Sequence, residues 1–233
     1  MRPPLPVARE VGRQADMGGL ELYQPGADAM DLGTYFDSEL DEHEAVARAT
    51  RVLKSEFIRL VDICEAAVNA GNKLVFFGNG GSAATASHLA EDLATYAIPF
   101  SEPRRLKVLS LNDSPSTLTA LGNDIGFEAI FTEQVQQWAR PGDLVLTMSG
   151  SGNSPNLVAA IEKARELGCQ TSAMTGFSGG KLKSLVQHPL HVEIHEMQPA
   201  QDAHMIMTHM IIDGFRTLVR NELAENENGG TEG

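Results

Sequence analysis

Basic residues are scarce in this chain. Its 233 residues include 18 Lys and Arg against 31 Asp and Glu, a formal net charge of −13, and the few cations are spread along its length. Holding a nucleic-acid backbone requires clustered Lys and Arg, so no nucleic-acid partner is expected. The acidity does not argue against a small anionic ligand, because local backbone dipoles can favour one. Cysteine is nearly absent. Cys64 and Cys169 each stand in apolar surroundings, and both are expected as buried free thiols in a reducing compartment. No apolar run approaches the roughly 20 residues of a membrane span. The opening MRPPLPVAREVGRQADMGG lacks the continuous apolar segment of a secretory signal. A soluble, cytoplasmic protein without a membrane partner is expected. Two nucleotide signatures are also missing, the GxxxxGK[ST] of a P-loop and the GxGxxG of a dinucleotide fold, which favours a small phosphorylated metabolite over a nucleotide.

What is present is a strand–helix rhythm in a chain that is 42% hydrophobic and 21% charged. Residues 1–35, with early prolines and no sustained period, are expected as a flexible extension, and 224–233 as a flexible acidic tail. Between them, 36–223 read as one domain. A long amphipathic helix is predicted from about 40 to 71, with Val46, Val52, Leu53, Phe57, Leu60, Val61, Cys64 and Val68 on its apolar side. Strands are predicted at 73–78, 106–111, 143–148, 169–175 and 190–195. Helices are predicted at 82–96 (with Ser82 as N-cap), 116–121, 127–139, 154–167 and 201–223. The expected fold class is α/β, a three-layer sandwich with a five-stranded parallel sheet and helices on both faces. Ligands of such sheets bind beyond the C-terminal strand ends.

Three Gly-rich turns follow predicted strands at that edge. The first, Gly78-Asn79-Gly80-Gly81-Ser82, opens a helix that carries His88 and Asp92 four positions apart. Free N–H groups and the positive end of a helix dipole make such a turn an anion site. The second, Ser149-Gly150-Ser151-Gly152-Asn153-Ser154, offers three hydroxyls, small residues and a helix N-terminus, the chemistry of a phosphate-monoester site. The third is Thr175-Gly176-Phe177-Ser178-Gly179-Gly180-Lys181. On the closing helix, Gln201 and His209 stand just over two turns apart. With His88 and Asp92 they offer nitrogen and oxygen donors for a divalent metal such as Zn²⁺. A His–Asp pair at i, i+4 is more often a surface or capping interaction, and His204 and His209 amid methionines are more often buried and hydrogen-bonded than ligating, unless the two helices meet.

The runs GNGGSAATASHLAEDL, LGNDIGF, SGSGNSPN and QDAHMIMTH, in that order, resemble the bacterial phosphoheptose isomerases, which are sugar-isomerase (SIS) domain proteins. The resemblance covers about residues 37–222. It implies a flavodoxin-like SIS fold, a homotetramer and conversion of sedoheptulose 7-phosphate to D-glycero-D-manno-heptose 7-phosphate through an enediol. It also implies substrate binding by Asn79, Gly80, Gly81, Ser82, Asp92, Asn123, Asp124, Ser149, Gly150, Ser151, Ser154 and Gln201. It places Zn²⁺ on His88, Asp92, Gln201 and His209, with Asp92 and His209 as the acid–base pair. The chain departs from the family pattern at three places. Asp92 stands for a Glu, Gly150 for the usual Thr, and Tyr96 for a frequent Arg. Glu91 is expected to be turned aside, since i+3 differs from i+4 by about 100° of helix rotation. Two alternatives belong to the same domain class. One is a non-catalytic regulator that binds a replication initiator, from which retention of both Gln201 and His209 separates this chain. The other is an isomerase of a different sugar phosphate.

Overall fold

A computed structural model describes residues 31–101 and 105–229. The expected extension over 1–35 therefore lies outside the described residues up to residue 30, and the last four residues of the expected tail lie outside them too. Five strands form one parallel sheet in the order β2-β1-β3-β4-β5: β1 Leu74–Gly78, β2 Val108–Ser110, β3 Leu144–Ser149, β4 Gln170–Thr175 and β5 His188–His191. The order reverses between β1 and β3, so the C-terminal ends of these two central strands form the topological switch point where ligands of open sheets bind. β1 and β3 are buried along their whole length, as strands covered on both faces must be, and they read as apolar runs without alternation.

Eight α-helices complete the described residues: α1 Leu32–Ala49, α2 Lys54–Asn69, α3 Gly81–Thr95, α4 Pro115–Asp124, α5 Ile130–Trp138, α6 Pro155–Glu166, α7 Gly180–Leu185 and α8 Met197–Gly229. Leu74, Phe76, Leu144 and Leu146 point to one face of the sheet, where Leu60, Cys64, Leu89, Leu93, Met207 and Ile211 from α2, α3 and α8 cover them. Val75, Phe77, Val145 and Ala173 point to the other, against Phe131, Val135, Leu157 and Ile161 from α5 and α6. Both thiols are free and buried, and burial pushes the Cys64 thiol up to about 12. No helix among the described residues is long and apolar enough to cross a membrane.

Several elements differ from the sequence reading. The single helix expected over 40–71 is broken by a 3₁₀ turn at Thr50–Leu53, and Val52, expected on the apolar side, is exposed at that break. Ser82 does not cap α3. Gly80, at φ +54, is the N-cap, and Ser82 is buried in the first turn. A left-handed cap position favours a residue without Cβ over a hydroxyl that could accept a bond. The second strand is shortened to Val108–Ser110, and the fifth, at His188–His191, begins two residues early and ends four early.

At the opposite, N-terminal end of the sheet sits a polar clamp. Asp143 is buried and accepts from the Lys73 backbone N–H at 2.7 Å, the Lys73 ammonium at 2.7 Å and the Arg140 backbone N–H at 2.8 Å. Asn72 donates to the Gly142 carbonyl at 3.0 Å beside it.

Candidate active site at the sheet switch point

The first turn leaves β1 at Gly78. Asn112, just past β2, pairs its amide with the Gly78 backbone in both directions, accepting from the N–H at 3.1 Å and donating to the carbonyl at 3.0 Å. Asn79 faces the second turn and forms a reciprocal amide pair with Asn156 on α6, with both bonds at 2.9 Å. The two turns on either side of the switch point are thus tied side chain to side chain. Neither Asn112 nor Asn156 was singled out from sequence. Asn156 stood inside a quoted motif, but nothing local says that its partner lies 77 residues away.

The second turn leaves β3 at Ser149. The Ser149 hydroxyl is buried and accepts from the Gly152 N–H at 3.0 Å, and the Ser151 hydroxyl accepts from the Asn153 N–H at 3.3 Å. Each oxygen accepts with a lone pair, so each hydroxyl proton stays available to an anion. Ser154 is the N-cap of α6 but makes no capping bond with its side chain, and Pro155 follows at the first helical position. The third turn packs against the second. The Lys181 N–H donates to Asn153 Oδ1 and the Leu182 N–H to the Gly152 carbonyl, both at 3.0 Å.

α3 and α8 run side by side in the same direction, with Gly81 against Gln201 and His88 against His209. The two ring Nε2 atoms of His88 and His209 are 3.0 Å apart, and the rings meet edge to face. Asp92 Oδ2 is 3.7 Å from His88 Nε2. The meeting of the helices thus brings together two imidazoles and a carboxylate. Gln201 lies against Gly81, where a Cβ would come within 2.9 Å of its Cδ and closer still to its Oε1. About two turns beyond the His88–His209 pair, the Arg216 guanidinium of α8 stacks 3.8 Å from the ring centroid of Tyr96 at the end of α3.

Glu91 is not turned aside. Its carboxylate lies within 4.8 Å of the ligand atoms of His88 and Asp92, while also accepting from the Thr95 hydroxyl at 2.9 Å. The expectation compared Glu91 with Asp92. Measured from His88, i+3 and i+4 are rotated by about 60° and 40° in opposite senses, so both are neighbours of the imidazole. Asn123 and Asp124, at the exposed C-terminal end of α4, stand apart from these groups. Asn123 Nδ2 donates to Asp124 Oδ1 at 2.7 Å, and neither bonds to any other site residue among the described ones.

On α8 itself, His204 is buried, and neither ring nitrogen makes a hydrogen bond. Burial lowers its pKa to about 4. The nearby Thr175 backbone favours the charged form but does not reach hydrogen-bond geometry, so it only partly opposes the shift.

A family model for the SIS domain matches residues 39–176. A phosphoheptose isomerase of Citrifermentans bemidjiense is 45% identical over 158 residues, which cover 67% of this chain and 79% of the relative. A probable phosphoheptose isomerase of Thermoplasma acidophilum is 39% identical over 169 residues, covering 72% and 92% respectively. Among solved structures, the phosphoheptose isomerase of Neisseria gonorrhoeae superposes with a TM-score of 0.74 at 28% identity, over 80% of this chain and all of the other. That of Francisella tularensis gives 0.71 at 27%, over 80% and 96%. With the sheet order, the three turns and the paired helices already in place, the chain belongs to the SIS-domain family of phosphoheptose isomerases.

Proposed function

We propose that this chain is an isomerase that interconverts sedoheptulose 7-phosphate and D-glycero-D-manno-heptose 7-phosphate, and that it holds Zn²⁺ on His88, Asp92, Gln201 and His209. The observation that carries this is the 3.0 Å approach of His88 Nε2 to His209 Nε2, with Asp92 Oδ2 at 3.7 Å. Two nitrogens bound to one tetrahedral zinc at ~2.0–2.1 Å stand roughly 3.3 Å apart, so the imidazoles need only a small adjustment to share a cation. Two imidazoles, a carboxylate and an amide oxygen are a donor set suited to zinc. When bound, the metal supplies Lewis-acid polarisation of the sugar oxygens.

The chain's own residues do the rest. The hydroxyls of Ser149, Ser151 and Ser154, with the N-terminus of α6, hold the phosphate, and that distant binding orients the reacting carbons. Asn79, Gly80, Gly81 and Ser82 border the sugar beside them. Asp92 removes a proton from C1 of the ketose and returns it to C2. His209 moves the hydroxyl proton between O1 and O2, so the enediol forms and collapses without net gain or loss of protons. A carboxylate has two oxygens, so Asp92 can face His88 with Oδ2 and take the proton on the other.

We also propose a homotetramer. α4 has no buried residue, and Ile125, Phe127, Trp138 and Met210 leave large apolar surface exposed on the single chain. Closed symmetric assembly is the ordinary way to cover such surface. Asn123 and Asp124 lie on this uncovered region, which accounts for their separation from the other sugar-binding groups within one chain.

The test is turnover of sedoheptulose 7-phosphate in D₂O, followed by NMR, on protein as purified, after chelation, and after zinc is restored. Isomerisation is expected, with deuterium at C2 in the fraction of turnovers in which the Asp92 carboxyl exchanges its proton with solvent before delivering it; turnover should be lost on chelation and regained with zinc, together with a tetramer mass by light scattering. Zinc-loaded protein that leaves the sugar unchanged would overturn the reading and favour the partner-binding alternative.

A further inference from the structure

The first turn of α8 is seated on three glycines, one from each Gly-rich turn. A Cβ at Gly81 would meet the Gln201 side chain, one at Gly176 would lie 2.6 Å from Ala200 Cβ, and one at Gly150 would lie 2.5 Å from Met197 Sδ and 3.2 Å from Met197 Cε. The volume of a side chain at position 150, inside the second turn, is thus taken by the Met197 thioether. Phe177 stands behind it, with Cε2 3.9 Å from the same point. Phe177 has φ +46 and is the one non-glycine in the left-handed region among the described residues. Its N–H donates to the Ile194 carbonyl at 2.8 Å, and its ring meets His195 edge-on. A bulky residue held in that region marks backbone over-determined by its surroundings, and such residues gather at functional sites.

We propose that Met197, backed by Phe177, is the specificity-determining wall of the phosphate subsite. It fills the space of the missing side chain at position 150 and sets the size of anion that the Ser149–Ser154 turn admits. The inference rests on the reading that this turn holds the substrate's phosphate. A thioether has no proton to donate. The wall is therefore apolar, and the donors that the turn itself offers are the serine hydroxyls and backbone N–H groups. A single phosphate monoester group fits that one-sided cradle, whereas a second bulky substituent on phosphorus would meet the sulfur.

The experiment compares wild type, Gly150→Thr, Met197→Ala and the double variant. The readouts are affinity for inorganic phosphate by NMR titration, KM and kcat for sedoheptulose 7-phosphate, and thermal melting. Gly150→Thr alone should weaken phosphate binding and raise KM by about 10-fold or more, with a smaller change in kcat, because overpacking of this size must be relieved at the subsite. Adding Met197→Ala should return both values to within about 3-fold of wild type, since the threonine then occupies the place the thioether left. A Gly150→Thr protein with wild-type affinity, or a double variant no better than Gly150→Thr, overturns the wall. A double variant that fails to fold also counts against it, because relief of the clash is what the proposal requires. Wild type that binds phosphate and isomerises the sugar while rescue fails removes the wall alone. Wild type that does neither removes the functional reading and the wall with it.

Discussion

Gly81→Ala separates the stability of this fold from its chemistry. Gly81 opens α3 in helical backbone, so alanine meets no conformational penalty there and gains up to about 1 kcal/mol of helix propensity. What the new Cβ meets is the far end of one flexible side chain, with Gln201 Cδ at 2.9 Å and Nε2 at 3.2 Å. Gln201 can swing away at a rotamer cost of roughly 0.5–1.5 kcal/mol. The two effects nearly cancel, and since 1 kcal/mol moves Tm by about 2–4 °C in a domain of this size, melting should stay within about 4 °C of wild type. The displaced amide is one of the four proposed zinc ligands. Loss of even an outer-shell partner weakens metal binding by about 10–100-fold, so at least that much should be lost here, and turnover with it. Competition against a chromophoric chelator measures the first, and NMR of the sugar phosphate the second. Wild-type zinc affinity in Gly81→Ala would refute the placement of Gln201. A fall in Tm beyond about 8 °C would show that Gly81 serves the backbone, not the amide.

Three further outcomes follow from other residues. Asp92→Asn should abolish isomerisation with the fold intact, while Asp92→Glu should keep activity and tighten zinc by restoring one methylene of reach, both read by turnover and metal titration. Ser151→Ala removes a hydroxyl that can donate to a phosphate dianion. A charge-assisted bond contributes about 1.5–3 kcal/mol, so kcat/KM should fall by roughly 10- to 150-fold, and unchanged kinetics would leave the turn a structural one. His204 is neutral in the fold, with a pKa near 4 against 6.5 for the free side chain, so the unfolded chain binds the extra proton. Its contribution is therefore present above pH 6.5 and is lost as pH falls from 6.5 towards 4, by about 3 kcal/mol in total. Urea unfolding across that range should show a decline that His204→Leu flattens.

The sequence makes the strands and turns legible because their signals are local. The apolar runs at 74–77 and 144–146 end at glycine and serine clusters, and each run became a buried strand that ends at the site. The pairing of His88 with His209 was legible only through resemblance, because nothing within either helix says that it meets the other across 121 residues. The features that escaped are all tertiary. Met197 stands outside the helix read over 201–223, whereas in the structure it opens that helix. Its role depends on a glycine in another turn having no side chain. Phe177 sat in a turn whose glycines promised the unusual backbone, yet the phenylalanine joins them in it. Glu91 was misjudged by measuring its angle from the wrong neighbour.

The clamp around Asp143 bears on how β1 finds β3. Both strands are apolar on both faces, so sliding one past the other by two residues would still bury hydrophobic side chains, and burial alone specifies their alignment only weakly. Their pairing also closes a loop of 70 residues, Leu74 opposite Leu144, with β2 inside it. A buried carboxylate that must meet the Lys73 N–H and ammonium at once can do so at a single offset, and a slipped sheet would strand that charge without partners, at a cost of about 3–5 kcal/mol. Asp143 thus acts as an index mark for the two central strands. It lies at the far end of the sheet from the chemistry, yet it decides whether Asn79 and Asn156 arrive opposite each other at all.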